Sequence, residues 1–435
     1  VFNCFNSGFG LVLLKRNLKA VHMCIKNPPV AVVASFIVFS CLGNTSLAQT
    51  GGDDPIRDLV GRLDLESYKQ TIQGLALFGD RRQGTQRNAD ALDWIEQQLK
   101  AVGCVNTERL DYIFDPEPRP PRGPRSALAE APDLTTATGG KVGRNGNGPG
   151  GSSVFGYRIP TSVNRDINAQ PDERIRLLNA EEPVNGPRQE VYCTKIGSVY
   201  PQEMYIVSAH MDGHGVNEAV NDDASGTALV IELARIFNSP DVTTERSIRF
   251  ALWNNEETGL NGSTAYVEQR QALQGIENPP GSGLYPEPTW LGMIQHDMML
   301  WDHGAPRADG TVSRDQRREA DVNIEFQSNS ELAAEAMRLA FIFKAAADEY
   351  NTDYPATVGP HMTNTDSTPF MNTVPSISLR ENERGAHTGG GWNPTWHTTL
   401  DVWTTFSDDD FRLGLNAAQT TLSAIARLTG TSVNP

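Results

Sequence analysis

Basic residues are scarce in this chain: Lys and Arg number 37 against 53 Asp and Glu, for a net charge of −16. Outside Arg119–Arg125 no basic cluster occurs. So acidic a surface repels a phosphate backbone, and no nucleic-acid partner is expected. Cysteine is scarcer still, with five in 435 residues. No internal repeat is visible. Nor is any apolar run comfortable as a membrane span. The candidate, residues 29–43, falls short of the roughly 20 residues a span needs.

That short run reads instead as an export signal. Lys26 precedes it, and Ser46-Leu-Ala48 follows with small residues at the −3 and −1 positions of a cleavage site after Ala48. The expected organisation is a leader over 1–48, with Met23 as an alternative start, then a single domain over 49–435. The leader carries Lys15, Arg16, Lys19 and Lys26 and no acid, so the mature chain is more acidic still. The expected location is secreted or periplasmic, with no stable membrane insertion after cleavage. Cys41, in Val-Phe-Ser-Cys, offers a lipid-anchored alternative, which the bulky Phe39 disfavours. Cys4, Cys24 and Cys41 leave with the leader, and Cys104 and Cys193 remain. An even count in an exported protein fits one disulfide, the alternative being two buried thiols. Each flanks or lies in a segment that reads as a strand, 105–114 and 189–196. Between them, 115–156 is dense in Pro and Gly and cannot bury enough apolar surface to order itself. It is expected as part of a surface insertion around 115–190, on the rim of any site.

What is present is a set of metal-ligand side chains at the ends of apolar runs. Met204–Ala209 is β-rich and apolar, suits a strand buried on both faces, and ends in His210-Met-Asp212. Ligands of open α/β folds gather beyond the carboxyl ends of strands. Asp212, two residues on, can share a face with His210 and hydrogen-bond its free nitrogen. Asn221-Asp222-Asp-Ala-Ser-Gly runs into an apolar helix at 227–237, where an acid would ordinarily cap. One Asp can cap while its neighbour bridges two cations. The strand at 247–254 leads to Asn255-Glu256-Glu257, and that at 291–295 to His296-Asp297. A fourth core strand, 374–379, is followed by a loop that reaches His397-Thr-Thr-Leu-Asp401. Taken singly, each is a satisfied histidine, a helix cap or a solvated turn. Together, two histidines and three carboxylates are too few for two separate zinc sites unless one carboxylate is shared. Sharing is what a two-metal hydrolase needs, its ions lying roughly 3.5–4 Å apart. Glu256, beside a ligand, stands where a general base belongs.

In this order, His210-Met-Asp212, Asp222-Asp-Ala-Ser-Gly, Glu256-Glu257-Thr-Gly-Leu-Asn-Gly-Ser, Asp297-Met and Asn393-Pro-Thr-Trp-His397-Thr-Thr-Leu-Asp401 resemble the co-catalytic zinc aminopeptidases of the M28 peptidase family. The bacterial leucine-type members are the most similar. The resemblance runs from about 75 to 430, interrupted near 114–190. It implies a mixed, mainly parallel central sheet sandwiched by helices, and two Zn²⁺ per chain bridged by Asp222. One ion would take His210 and Asp297, the other Glu257 and His397, with Glu256 as base to a metal-bridged hydroxide. Asp212 and Asp401 would orient the two histidines. Peptides or proteins with a free N-terminus would be substrates, and Met298, Phe370, His387 and Trp396 are candidates for the pocket. Ser367 stands where a histidine is common in the family. The same pattern leaves a carboxypeptidase, a dipeptidase, a glutaminyl cyclase or a non-catalytic homologue as alternatives.

Overall fold

The computed structural model describes residues 54–116, 166–304, 313–360, 365–381, 393 and 395–434. The expected leader, most of the Pro/Gly-rich stretch and His387 lie outside them. In chain order the described residues form α1 (Pro55–Gly61), α2 (Leu65–Ala76), α3 (Gln86–Ala101), β1 (Glu108–Phe114), α4 (Glu173–Leu178), β2 (Gly186–Lys195), β3 (Tyr200–His210), α5 (Ser225–Phe237), β4 (Val242–Thr243), β5 (Arg246–Trp253), α6 (Asn261–Arg270), β6 (Thr289–His296), β7 (Val322–Phe326), α7 (Ala333–Tyr350), β8 (Ala356–Gly359), β9 (Ser376–Glu381), α8 (Asp408–Leu428) and β10 (Ser432–Val433).

The apolar runs ending in candidate ligands become neighbours. Eight strands share one sheet in the order β1-β2-β5-β3-β6-β9-β7-β8. Its centre, β5-β3-β6-β9, is parallel. On one side β2 is antiparallel to β5 and β1 to β2. On the other, β7 is antiparallel to β9 and parallel to β8. The sheet is therefore mixed and mainly parallel, as the family resemblance implies.

Strand periodicity divides the core between the two faces. In β3, Tyr205, Val207 and Ala209 join the larger apolar cluster with Leu229 and Leu233 of α5 and Leu422 and Ile425 of α8. Met204 and Ile206 face the other way, into a smaller cluster with Trp253, Trp290, Phe370 and Tyr266 of α6. Central parallel strands need helices on both sides, which is why their runs are apolar throughout. Local signals fix the helix ends. Ser407 and Asp410 make a capping box that starts α8, and Thr85 caps α3 through the Asn88 N–H. The disulfide joins Cys104, just beyond α3, to Cys193 in β2, with their Cα atoms 6.0 Å apart.

Of the 115–190 segment, the composition that argues against self-ordering is that of 115–156, nearly all of it outside the described residues. In 166–185, Asp172 caps α4 and the segment packs on the loop after β3. Buried Gln170 donates to the carbonyls of Val216 and Thr399 at 2.9 and 3.1 Å, and buried Asn179 to that of Asn217 at 2.8 Å. Polar side chains hold it beside the single buried apolar residue of α4, Ile175, too little for a hydrophobic pattern to reveal it. No helix among the described residues is long and apolar enough to cross a membrane.

Candidate metal centre

The carboxyl ends of the four parallel strands open on one edge of the sheet. His210 closes β3, Glu256 and Glu257 follow β5 closely, and Asp297 directly follows β6. Asp222 lies between β3 and α5, and His397 comes from the chain after β9. The structure brings all five candidate ligands together, in two groups that share one residue. Single ligand atoms of His210, Asp222 and Asp297 lie within 4.8 Å of one another, as do those of Asp222, Glu257 and His397. Asp222 Oδ1 is 3.1 Å from His210 Nε2, while Oδ2 is 3.2 Å from His397 Nε2. On the first side Asp297 Oδ1 is 3.9 Å from His210 Nε2, and on the second Glu257 Oε2 is 2.8 Å from His397 Nε2.

These residues fit a pair of cations. Asp212, Asp222, Asp223, Asp297, Asp366 and Asp401 are all buried around this edge, and carboxylates so crowded require positive charge nearby. Glu257 Oε1 is buried without a hydrogen-bond partner, an orphaned acceptor at the site. The titration pattern has the same origin. Burial raises the Glu257 carboxyl to about 7 even with His397 beside it. Burial also lifts Glu256 well above its usual value; His210 opposes this, and Glu257, Asp366 and Asp297 reinforce it. Asp222 goes the other way: burial would raise it, but its contacts with both imidazoles hold it low. Both histidines are correspondingly raised despite burial, since carboxylates surround them. An array of imidazole and carboxylate donors of this kind suits zinc.

The supporting carboxylates act differently from expectation. The Asp212 carboxylate does not hold the His210 ring: it lies 3.9 Å from Nδ1, whose close partner is the Asp212 backbone carbonyl at 2.9 Å. Its oxygens accept the backbone N–H groups of Glu256 and Glu257 at 3.0 and 3.4 Å. Asp401 likewise takes the N–H groups of Asn221 and Asp222, at 2.8 and 3.1 Å, rather than His397. Both carboxylates thus hold the turns that carry acidic candidates of the site. Unpaired amides of a tight turn outcompete an imidazole that already has a partner. Asp223 is the capping neighbour of Asp222. It accepts from Gly226 N at 2.9 Å and reaches back to His210 N at 3.2 Å and Met298 N at 3.2 Å.

Two arginines escaped the sequence reading. Arg380 of β9 donates to Asp297 Oδ1 at 3.1 Å; burial would raise that carboxyl, but Arg380 and His210 keep it low. Fully buried Arg81 gives hydrogen bonds of 2.8 Å to the carbonyls of Met211, Glu218 and Ala219, pinning the two arms of the loop between His210 and Asp222. No alternation or motif in the sequence marks either one. The only signal is that of Arg380, a cation inside a buried strand; Arg81, in the polar run Gly79-Asp-Arg-Arg-Gln-Gly84, carries none.

The pocket candidates separate. Phe370 is fully buried among Trp253, Tyr266 and Trp290, with ring centroids 5.2–5.9 Å away, and is core rather than pocket. Met298 is also fully buried, its N–H on Asp223 and its sulfur 3.7 Å from Arg380, so it lies beneath the site. Trp396 is half-buried with its ring 4.4 Å from that of His397, and it can line an opening. His214 sits on the other flank of His397, ring centroids 5.7 Å apart. His296 turns away to Thr421 of α8, 2.8 Å from Nε2, as a satisfied core histidine.

A profile described as Peptidase family M28 matches residues 192–417 of the chain. A relative named probable lipoprotein aminopeptidase LpqL, of Mycobacterium tuberculosis, is 33% identical over 143 residues, covering 32% of this chain and 27% of that one. Carboxypeptidase Q of Xenopus laevis is 33% identical over 88 residues, covering 20% and 19%. The matched stretches therefore span less than a third of either relative. The solved structure of a zinc aminopeptidase from Bacillus subtilis shares the fold, with a TM-score of 0.52 at 14% identity, over 86% of this chain and 96% of that one.

Proposed function

The chain belongs to peptidase family M28, and on that premise we propose that it is an exported di-zinc exopeptidase that removes residues from the free N-terminus of peptides. The observation that carries this reading is the double use of Asp222, one carboxylate oxygen toward His210 and the other toward His397. His210, Asp297 and Asp222 would hold one ion, and Glu257, His397 and Asp222 the other. Zinc is supported by the imidazole and carboxylate donors and by the Bacillus subtilis zinc aminopeptidase of the same fold. Bound there, two zinc ions supply Lewis acidity to an attacking water and a scissile carbonyl.

The chain's own groups move the proton. Glu256 takes it from the attacking water and delivers it to the leaving amine; burial and the flanking carboxylates raise its proton affinity above the ordinary value. Asp212 holds the backbone of Glu256 and Glu257 and so sets where both carboxyls sit. The substrate's α-ammonium pairs with the acidic edge, and Trp396 contacts an apolar first side chain. Such a pocket discriminates by only about 1–3 kcal/mol per methylene, so the preference is broad.

Export is supported by the leader pattern over 1–48 and by the lipoprotein aminopeptidase relative. The mature chain would begin near Gln49 with no acylated Cys41. One second reading has a specific observation behind it: the match to carboxypeptidase Q favours attack at the other end of the peptide. A substrate panel decides between them. Leucyl-anilide is expected to be cleaved and its N-acetylated form not, with both unreactive in chelator. Cleavage of the blocked substrate, or release only of C-terminal residues, overturns the aminopeptidase reading.

A further inference from the structure

Glu381 ends β9, the fourth strand whose carboxyl end opens on the metal centre, and it belongs to neither group of metal-ligand side chains. Its side chain is buried, with 1% of the residue exposed. Oε2 accepts the Asn221 side-chain amide at 2.8 Å and the Trp301 backbone N–H at 2.6 Å. Oε1 accepts the Asn393 side-chain amide at 2.9 Å. The Glu381 N–H donates to the Met298 carbonyl at 2.7 Å.

The four partners sit on three ligand-bearing segments. Asn221 precedes Asp222, and its own Oδ1 accepts the Leu300 N–H at 2.9 Å. Met298 to Trp301 follow Asp297. Asn393 lies shortly before His397, and its Oδ1 holds Thr395 through the backbone N–H at 2.7 Å and the hydroxyl at 2.6 Å. A single buried carboxylate therefore joins the segments that carry Asp222, Asp297 and His397, while Asp212 serves Glu256 and Glu257 from the opposite flank.

We propose that Glu381 is a positioning residue of the metal centre, fixing three ligand segments against one another so that cation retention depends on a side chain that never touches the cation. The proposal rests on reading this edge as a metal centre. The partner pattern also supplies a reversal. Glu381→Gln turns an acceptor into an amine facing the Asn393 amine, donor against donor, because Asn393 Oδ1 is committed to Thr395. Pairing it with Asn393→Asp restores a donor and an acceptor, keeps the total charge, and leaves an oxygen for Thr395.

The test is zinc retention, read by competition with a chromophoric chelator, alongside the urea midpoint of each metal-free protein. Glu381→Gln is expected to retain zinc about 10–100-fold less tightly than the unaltered protein. The paired variant is expected to recover to within a few-fold, and Asn393→Asp alone, which sets two carboxylates face to face, is not. Unchanged zinc retention in Glu381→Gln overturns the proposal. So does a paired variant that regains its urea midpoint without regaining zinc, since that result makes the contact structural only. An unaltered protein that takes up no zinc overturns the metal-centre reading itself, and the proposal falls with it.

Discussion

Asp401 lies behind Asp222 and grips it by the backbone, its two oxygens accepting the N–H groups of Asn221 and Asp222 at 2.8 and 3.1 Å. The side chain offered to both candidate metal positions is thus held by an acid almost 180 residues away in the chain. Burial raises Asp401 to about 7 while those two amides work against it. Asp401→Ala removes both acceptors and leaves buried amides unpaired. Outer-shell losses of this kind typically cost about 10–100-fold in metal affinity or activity. Chelator competition on the purified variant measures it, and unchanged affinity would mean that the turn holds Asp222 unaided.

Glu256 and Glu257 are adjacent in sequence but differ in what they touch. Glu257 meets His397 at 2.8 Å, whereas the Glu256 carboxylate has no such imidazole contact among the described residues. Glu256→Gln is expected to lose about 10²–10⁴-fold in kcat with zinc content intact. Glu257→Gln is expected to lose zinc first. Metal analysis and single-turnover rates on the two variants separate the roles, and near-normal turnover in Glu256→Gln would refute the assignment.

How much of this was legible in the sequence depends on what kind of contact is asked about. The ligand-bearing strand ends were legible because parallel strands buried on both faces are apolar throughout, so His210 and Asp297 stand out at their ends. The presence of Asp212 and Asp401 near the centre was also legible, but their partners were not. Residue type and spacing do not report which backbone amides a turn leaves unpaired, and those amides claim both carboxylates. Glu381 ends a core strand just as His210 does, so the same rule would have found it. Arg81 carries no such mark, because its partners are carbonyls fixed only by the tertiary fold. Helices α1 and α2 were missed despite legible caps: Asp54 before Pro55, and Asp64 accepting from Ser67. Phe370 misled because an aromatic beside a motif looks the same whether it lines a pocket or fills the core.

Metal content should couple to stability. A protein that binds zinc only when folded gains about 2.7 kcal/mol per site at a free concentration a hundred times the dissociation constant. With buried carboxylates concentrated at this edge, stripping the metal is expected to lower the thermal midpoint, and adding zinc back to restore it at about two ions per chain. Elemental analysis with parallel calorimetry tests both statements. One ion per chain with full activity would rule out the two-ion arrangement.

Acid should weaken the fold through Glu96. Burial would raise this carboxyl, but Lys100 and Arg109, helped by Thr107, hold it down to about 2. Arg109 reaches it with two nitrogens at 2.6 and 2.9 Å, tying α3 to the edge strand β1. A folded-state value below the unfolded one means stability that is fully present above roughly pH 4.5 and is lost as pH falls toward 2. Glu96→Gln is expected to lower the urea midpoint at pH 7, with the gap to the unaltered protein closing on acidification. A gap independent of pH would remove the ion pairs as its source.

The disulfide closes a long stretch of chain, Cys104 and Cys193 being separated by 89 positions. It anchors the end of α3 to β2, the strand beside β5, which leads to Glu256 and Glu257. Cross-linking so long a loop restricts the unfolded chain, with typical gains of about 2–4 kcal/mol. Replacing both cysteines by serine is therefore expected to lower unfolding free energy by about that amount while zinc stoichiometry and kcat stay unchanged, because neither cysteine belongs to either group of candidate metal ligands. Urea titrations of the two proteins without reductant give the difference. Equal stability would mean that the buried packing around Cys104 and Cys193, not the bond, joins helix to sheet; a fall in kcat at equal zinc content would mean that strain in β2 is felt at Glu256.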